Sequence, residues 1–388
     1  MKNSASRILT THVGSLVRPP ELMEKLRAKE SGQPYDPDEL ASQVGRAIQE
    51  VVRQQAEVGI DIPSDGEYSK PNFSGYVNER LSGFERRLGN PKESPILNWG
   101  RDRKAFLEFY EAYEASARSV PAQPVVCTGS ISYTGQAAVQ SDIDNFKSAL
   151  EGVDVEEAFI PAVASSTIEA QRRNEYYATE HEYLYAIADA MRVEYKAIVD
   201  AGFLLQVDDP RIVVQYDMID PAPSVEAFRR SAELRVEVIN HALQGIPPER
   251  VRYHLCWGSW HGPHTTDFPL KDIIDIVLKI NAGAYSIEAA NPRHEHEFML
   301  WEHVKLPAGK ILIPGVVAHT TNTVEHPELV AWRISNFARL VGRENVIAST
   351  DCGFSQGAFV PRVHASIMWA KLRTLAEGAA LATRQLWG

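Results

Sequence analysis

The run Val251-Arg-Tyr-His-Leu-Cys-Trp-Gly258 sets an imidazole and a thiol two residues apart, at His254 and Cys256. If that run is a strand, successive side chains alternate between faces, so both project to the same side as a ligand pair. A second thiol, Cys352 in Ala348-Ser-Thr-Asp-Cys-Gly353, and a carboxylate, Glu288 in Tyr285-Ser-Ile-Glu-Ala289, stand near the ends of other strand-like runs. One imidazole, two thiolates and one carboxylate make a borderline-soft tetrahedral set that suits Zn2+. The competing description is a buried histidine, two core cysteines and an unrelated glutamate, since free cysteine is often buried for packing alone.

Bringing these residues together is the task of the surrounding elements. Short β-branched or apolar runs recur at 8–16, 60–68, 125–132, 204–210, 251–258, 284–291, 311–317 and 346–353, and helix-length amphipathic segments fill most of the gaps. Alternation of this kind implies parallel strands joined by helices, and eight units close most economically as one α/β domain over residues 1–388, a single (β/α)8 TIM barrel. Two long insertions are expected, 73–121 after strand two and 136–183 after strand three, both emerging at the C-terminal rim.

Polar and metal-binding residues concentrate at the C-terminal ends of these runs: Ser15, Asp65, Glu67, Thr128, Asp208, Asp209, His254, Cys256, Glu288, Asp351 and Cys352. Barrel active sites are built from that rim, and this placement favours the metal reading over the packing one. Glu67 and Asp208 would face the same cavity, where two carboxylates can hold an ammonium group, act as acid or base, or orient the histidine. As helix caps or exposed charges they would do none of this. Asp209 precedes proline and is expected to serve the turn. His12, His261, His264, His294, His296 and His319 also fall on or near the rim, where each is either a neighbour of the metal or ordinary loop. The cluster Arg172, Arg173, Asn174, Tyr176 and Tyr177 reads as a substrate contact or a solvated helix face.

With 388 residues and a net charge of -11, the chain has no Lys/Arg stripe of the kind that binds nucleic acid. No apolar run approaches a membrane span, and the N-terminus carries no apolar signal core. Three cysteines do not make a disulfide framework, so a reducing cytoplasm is expected, with Cys127 a small core residue. A second copy of the chain, in a homo-oligomer, is an expected partner.

Taken in order, Thr10-Thr-His-Val-Gly-Ser15, Asp65-Gly-Glu67, Gln206-Val-Asp-Asp-Pro210, His254-Leu-Cys256, Ile287-Glu288 and Asp351-Cys-Gly353 resemble the catalytic barrel of the cobalamin-independent methionine synthases, in a short single-barrel form. The resemblance implies zinc held by His254, Cys256, Glu288 and Cys352. It also implies an amino-acid thiol whose ammonium meets Glu67 and Asp208 and whose carboxylate lies at the backbone around Ser15. The implied activity is a 5-methyltetrahydropteroyltriglutamate-homocysteine S-methyltransferase-like reaction, in which a zinc-bound thiolate attacks a methyl carbon. Where the family has an aspartate and, two positions on, a histidine for proton transfer, this chain has Ala318 and Thr320, with His319 between them; His319 and Asp208 are the catalytic candidates. Related single barrels open epoxides with coenzyme M or draw on a methylated corrinoid, so the donor stays open. A non-catalytic zinc barrel would have no need of spare carboxylates in the same cavity.

Overall fold

The structure, a computed structural model, describes residues 1–87, 100–116, 124–258, 260–357 and 361–388. Residues 88–99 and 117–121 of the first expected insertion lie outside the described residues. Among the described residues the strands are β1 (Leu9–Thr10), β2 (Phe84–Arg86), β3 (Val125–Cys127), β4 (Phe159–Val163), β5 (Arg173–Asn174), β6 (Leu204–Asp208), β7 (Val251–Leu255), β8 (Ala284–Ile287), β9 (Ile311–Val317) and β10 (Ile347–Thr350). Seven of them form a parallel sheet in the order β1-β10-β9-β8-β7-β6-β4. Its two edges meet through residues 61–63: the amides of Asp61 and Ile62 donate to Thr10 O, and the Phe159 amide donates to Pro63 O. This curled parallel sheet with helices between its strands is consistent with a TIM-like barrel.

One expected strand belongs elsewhere. The run at 125–132 supplies β3, which pairs antiparallel with β2 and parallel with β5 in a separate three-stranded sheet. In the seven-stranded sheet the neighbour of β6 is β4, buried at all five positions and inside the segment expected to be an insertion at 136–183. Pro161 at its centre disguises it, because proline cannot donate to a ladder. The fold accommodates it on the side facing residues 61–63: the Phe159 amide binds Pro63 O, the Val163 amide takes the Tyr76 hydroxyl, and Pro161 lies between them with no amide to satisfy. The excursion from residue 63 to β4 is therefore one long segment rather than two shorter ones.

Inside the curled sheet, Leu9, Ile62, Phe159, Leu204, Ala284, Ile311, Ile313 and Ile347 form an apolar layer. Arg252 of β7 lies against it, its guanidinium 4.0 Å from the Phe159 ring and donating to Thr11 Oγ1 and His12 O at 2.9 Å each. The interior is thus packed with side chains at this end, as barrel geometry requires, and the polar groups gather at the other. Register completes the placement: Asp208 of β6 lies opposite His254 of β7, which lies opposite Ser286 of β8.

The helices Arg101–Ala105 and Leu107–Ser116, from the long excursion, are fastened by two buried carboxylates. Asp217 accepts from the amides of Gly100 (3.1 Å) and Asp102 (2.9 Å) and from the Thr266 hydroxyl. Asp102 in turn accepts from the Tyr110 hydroxyl at 2.8 Å and from the Thr265 amide and hydroxyl at 2.9 and 2.6 Å. Removing the Asp217 carboxylate strands three buried donors, each bond to a charged acceptor contributing about 1.5–3 kcal/mol. Asp217→Ala is expected to raise cleavage within residues 100–116 by at least about tenfold in limited proteolysis, while the midpoint of global urea unfolding moves little; equal cleavage rates would show the clamp to be unimportant.

Candidate active site

His254, in the last turn of β7, and Cys256, just beyond its end, project into the barrel together, and Cys352 follows the end of β10. The ligand atoms of these three buried residues all lie within 4.8 Å of one another, and the two sulfurs are 3.9 Å apart. His254 Nδ1 is 3.0 Å from Ser286 Oγ, whereas Nε2 is buried without any hydrogen-bond partner. Such an orphaned ring nitrogen between two thiols is the arrangement a metal-binding histidine needs, with its other nitrogen held by a neighbour. The hydrogen bond from Cys256, aided by the His254 and His319 imidazoles, draws the Cys352 thiol well below the ordinary thiol range and pushes Cys256 well above it. One of the pair is therefore disposed to be a thiolate, the form that binds metal.

Glu288 stands outside that cluster of three. Its Oε1 accepts from the Trp257 amide at 3.1 Å and its Oε2 from Asn291 Nδ2 at 2.7 Å, and burial pushes the carboxyl well above its usual range. The loop carrying it is held by Asp351, whose Oδ1 accepts from the amides of Ala289 and Ala290 at 2.8 Å each. Asp351 thus positions the glutamate from beside Cys352, a role its sequence neighbourhood did not reveal.

A cavity of about 180 Å³ opens beside the thiols, lined among others by Ser15, Glu67, Asp208, His254, Cys256 and Cys352. The sequence-predicted substrate residues and three of the four predicted metal ligands therefore share one space. Glu67 sits in the left-handed region, φ 58°, which costs energy for a non-glycine residue and is tolerated where the surroundings impose it. Arg18 and Asp65 impose it here: Arg18 Nη2 donates to Glu67 O at 2.6 Å and the Glu67 amide donates to Asp65 Oδ1 at 3.0 Å. Gly353 must be glycine because a Cβ there would lie 2.1 Å from Ser15 Oγ. Asp208 Oδ1 accepts from Gln206 Nε2 at 2.8 Å, while Glu67 Oε2 is buried without a partner. Burial raises both carboxyls, Glu67 to about 7 against the pull of Lys70 and Arg18, and Asp208 well above its usual range with Glu67 as the next cause.

His319 is buried with both ring nitrogens unpaired, and desolvation lowers it to about 3, so its ring is neutral. The other histidines do different work. His12 is hydrogen-bonded to Gln55, His264 and His294 share Asp267, and His261 and His296 are at the surface. His294 also stacks on Trp257 at 3.8 Å. Asp209, expected to serve the turn before Pro210, instead ties separate elements together, accepting from Ser166 and Thr167 of the helix Ser165–Gln171 and from Tyr253 of β7. Arg172 is buried and spent on Asn78 and Ser74 O, so it is a structural residue rather than a substrate contact; Arg173 is exposed and paired with Glu175. Cavity residues absent from the sequence reading are Gln171, Arg211, Trp260, Gln356 and Arg362. Only Arg211 carried a signal, its position three residues after Asp208.

Comparison with known proteins bears on this geometry. The family model described as the cobalamin-independent synthase catalytic domain matches residues 115–370. The methionine synthase of Sulfolobus acidocaldarius is 25% identical over 389 residues, covering 100% of this chain and 95% of the relative. That of Thermococcus kodakarensis is 24% identical over 380 residues, covering 97% and 94%. Among solved structures, a B12-independent methionine synthase from Shewanella sp. W3-18-1 in complex with selenomethionine superposes with a TM-score of 0.74 at 19% identity, covering 98% of this chain and 99% of that one. Likeness at that identity speaks to the fold.

The buried acid pair has a pH signature. Glu67 titrates near 7 when folded and near its ordinary 4.5 when unfolded, so between those values the folded state binds more protons and stability falls as pH rises. In metal-free protein, Glu67→Gln is expected to flatten urea-unfolding stability between pH 5 and 8 by on the order of 3 kcal/mol. An unchanged slope would mean that Glu67 is already ionised below that window.

Proposed function

Because this chain belongs to the cobalamin-independent synthase family through its catalytic domain, and is a methyltransferase of methionine synthase type, we propose that it transfers a methyl group to the sulfur of homocysteine or a similar amino-acid thiol with the help of zinc. The observation that carries this is the convergence of His254, Cys256 and Cys352, whose ligand atoms lie within 4.8 Å of one another, with His254 Nε2 buried and unpaired. His254, Cys256 and Cys352 are the residues that would hold the ion, with Glu288 as the fourth donor in exchange for its present partners. When bound, zinc would lower the pKa of a substrate thiol so that it is deprotonated near neutral pH.

The remaining work falls to the chain's own residues. Glu67 and Asp208 receive the substrate ammonium: unpaired, they are pushed toward their neutral forms, and an arriving cation lets them ionise. The backbone at Ser15, held by the Phe354 amide donating to Ser15 O at 2.8 Å, fixes the position of the substrate carboxylate. His319, a neutral imidazole with two unengaged nitrogens near Cys352, is assigned to moving the thiol proton. In the transfer the sulfur–methyl bond forms as the methyl–donor bond breaks, giving a thioether.

Elemental analysis of purified protein is expected to return stoichiometric zinc. Cys352→Ala should lose the metal and turnover together, whereas Asp208→Asn should keep the metal and raise KM for homocysteine by roughly 10–100-fold, the worth of one charge-assisted hydrogen bond. Full metal content and turnover in Cys352→Ala would refute the ligand assignment.

A further inference from the structure

Two arginines share the cavity with the carboxylates, and among the described residues neither has an acidic partner. Arg211 is the first residue of the helix Arg211–Met218 and is 8% exposed. Among the described residues its guanidinium donates only to the thioether of Met218, and burial lowers it to about 10 with no counter-charge opposing. The other buried arginines are committed. Arg80 pairs with Asp142 and Glu194, Arg235 with Glu169 and Glu180, and Arg18 and Arg252 are spent on carbonyls and hydroxyls.

The position compounds the cost. A helix start carries partial positive charge from its free amides, so a guanidinium there is disfavoured by the dipole as well as by desolvation. Pro210 at the N-cap supplies no side-chain acceptor, leaving the helix start uncapped where it lines the cavity. Arg362 lines the same space, and among the described residues its hydrogen bonds go to neutral groups: its Nε donates to Gln356 Oε1 at 3.1 Å and its Nη1 to the Tyr113 hydroxyl at 3.1 Å. An anion at the helix start would answer the uncapped amides and the Arg211 guanidinium, with Arg362 a second cation lining the same cavity.

We propose that Arg211, with the helix start it occupies, forms an anion-binding subsite that takes a carboxylate or sulfonate carried by one of the two substrates, with Arg362 adding positive charge to the same cavity. It rests on the reading above only in treating this cavity as the substrate site. With Glu67 and Asp208 also in the wall, the cavity is bipolar and selects for molecules bearing an acid group, whether on the thiol or on the methyl donor.

Calorimetric titration of the full chain with butyrate, propane-1-sulfonate and the neutral butyramide tests this without any thiol, so a failure of the zinc assignment leaves the readout intact. The two anions are expected to bind at least about tenfold more tightly than butyramide. Arg211→Gln and Arg362→Gln should each weaken anion binding by about tenfold while leaving butyramide unchanged, and Arg211→Lys should restore part of the loss because it keeps the charge without the planar fork. Equal binding of butyrate and butyramide, absence of anion binding, or an anion preference surviving both glutamine variants would overturn the proposal. Homocysteine added in competition locates the source: mutual exclusion with propane-1-sulfonate assigns the subsite to the thiol acceptor, and joint binding assigns it to the donor.

Discussion

His254 Nε2 has been taken out of water and given nothing in exchange. A buried polar atom without a partner costs on the order of 1–3 kcal/mol, and a fold rarely tolerates one without a use for it. Here several lie close together: the ring nitrogens of His319 and one oxygen each of Glu67 and Asp351 are unpaired as well. The surrounding barrel tolerates the deficit because its other end is closed by the apolar layer from Leu9 to Ile347 and by Arg252, whose two terminal nitrogens donate to Thr11 and His12. Stability resides at one end of the sheet and reactivity at the other.

The unpaired atoms are held in place by hydrogen bonds from neighbouring groups. Ser286 sets one face of the His254 ring, Asp351 fixes the amides that follow Glu288, Trp257 and Asn291 hold its carboxylate, and Arg18 fixes the left-handed turn at Glu67. Each supporting contact is short and buried, so the cavity keeps its shape without its ligands. Pre-organisation of this kind lets binding energy be used for desolvating a guest rather than for ordering the site.

The centre of this arrangement was legible in the chain because strand alternation is a local rule: His254 and Cys256 two apart must share a face, and Asp208, Glu288 and Cys352 at the ends of apolar runs must share a rim. The boundary of the barrel was not. Val125-Val-Cys127 has the composition of a buried strand, yet its partners are β2 and β5, and strand pairing is a long-range choice that composition does not encode. Phe159–Val163 was hidden by its central proline, whose missing amide matters only because the neighbouring segment at 61–63 is irregular there. Arg362 and Trp260 escaped for a related reason, since they come from loops whose approach to the cavity depends on tertiary contacts with Tyr113 and Tyr110.

Charge separation within the cavity links these levels. Glu67 and Asp208 arrive on the elements nearest the thiols, whereas Arg211 and Arg362 arrive on a helix start and a loop, so acidic and basic groups line one wall without neutralising each other. Had they met, each carboxyl would be held ionised and each guanidinium satisfied, as Arg80 is by Asp142 and Glu194. Instead burial pushes the acids toward neutrality and the bases downward, and both displacements are reversed only by a guest carrying the opposite charges. Such a cavity discriminates by charge, because a molecule lacking either charge leaves part of the desolvation cost unrelieved.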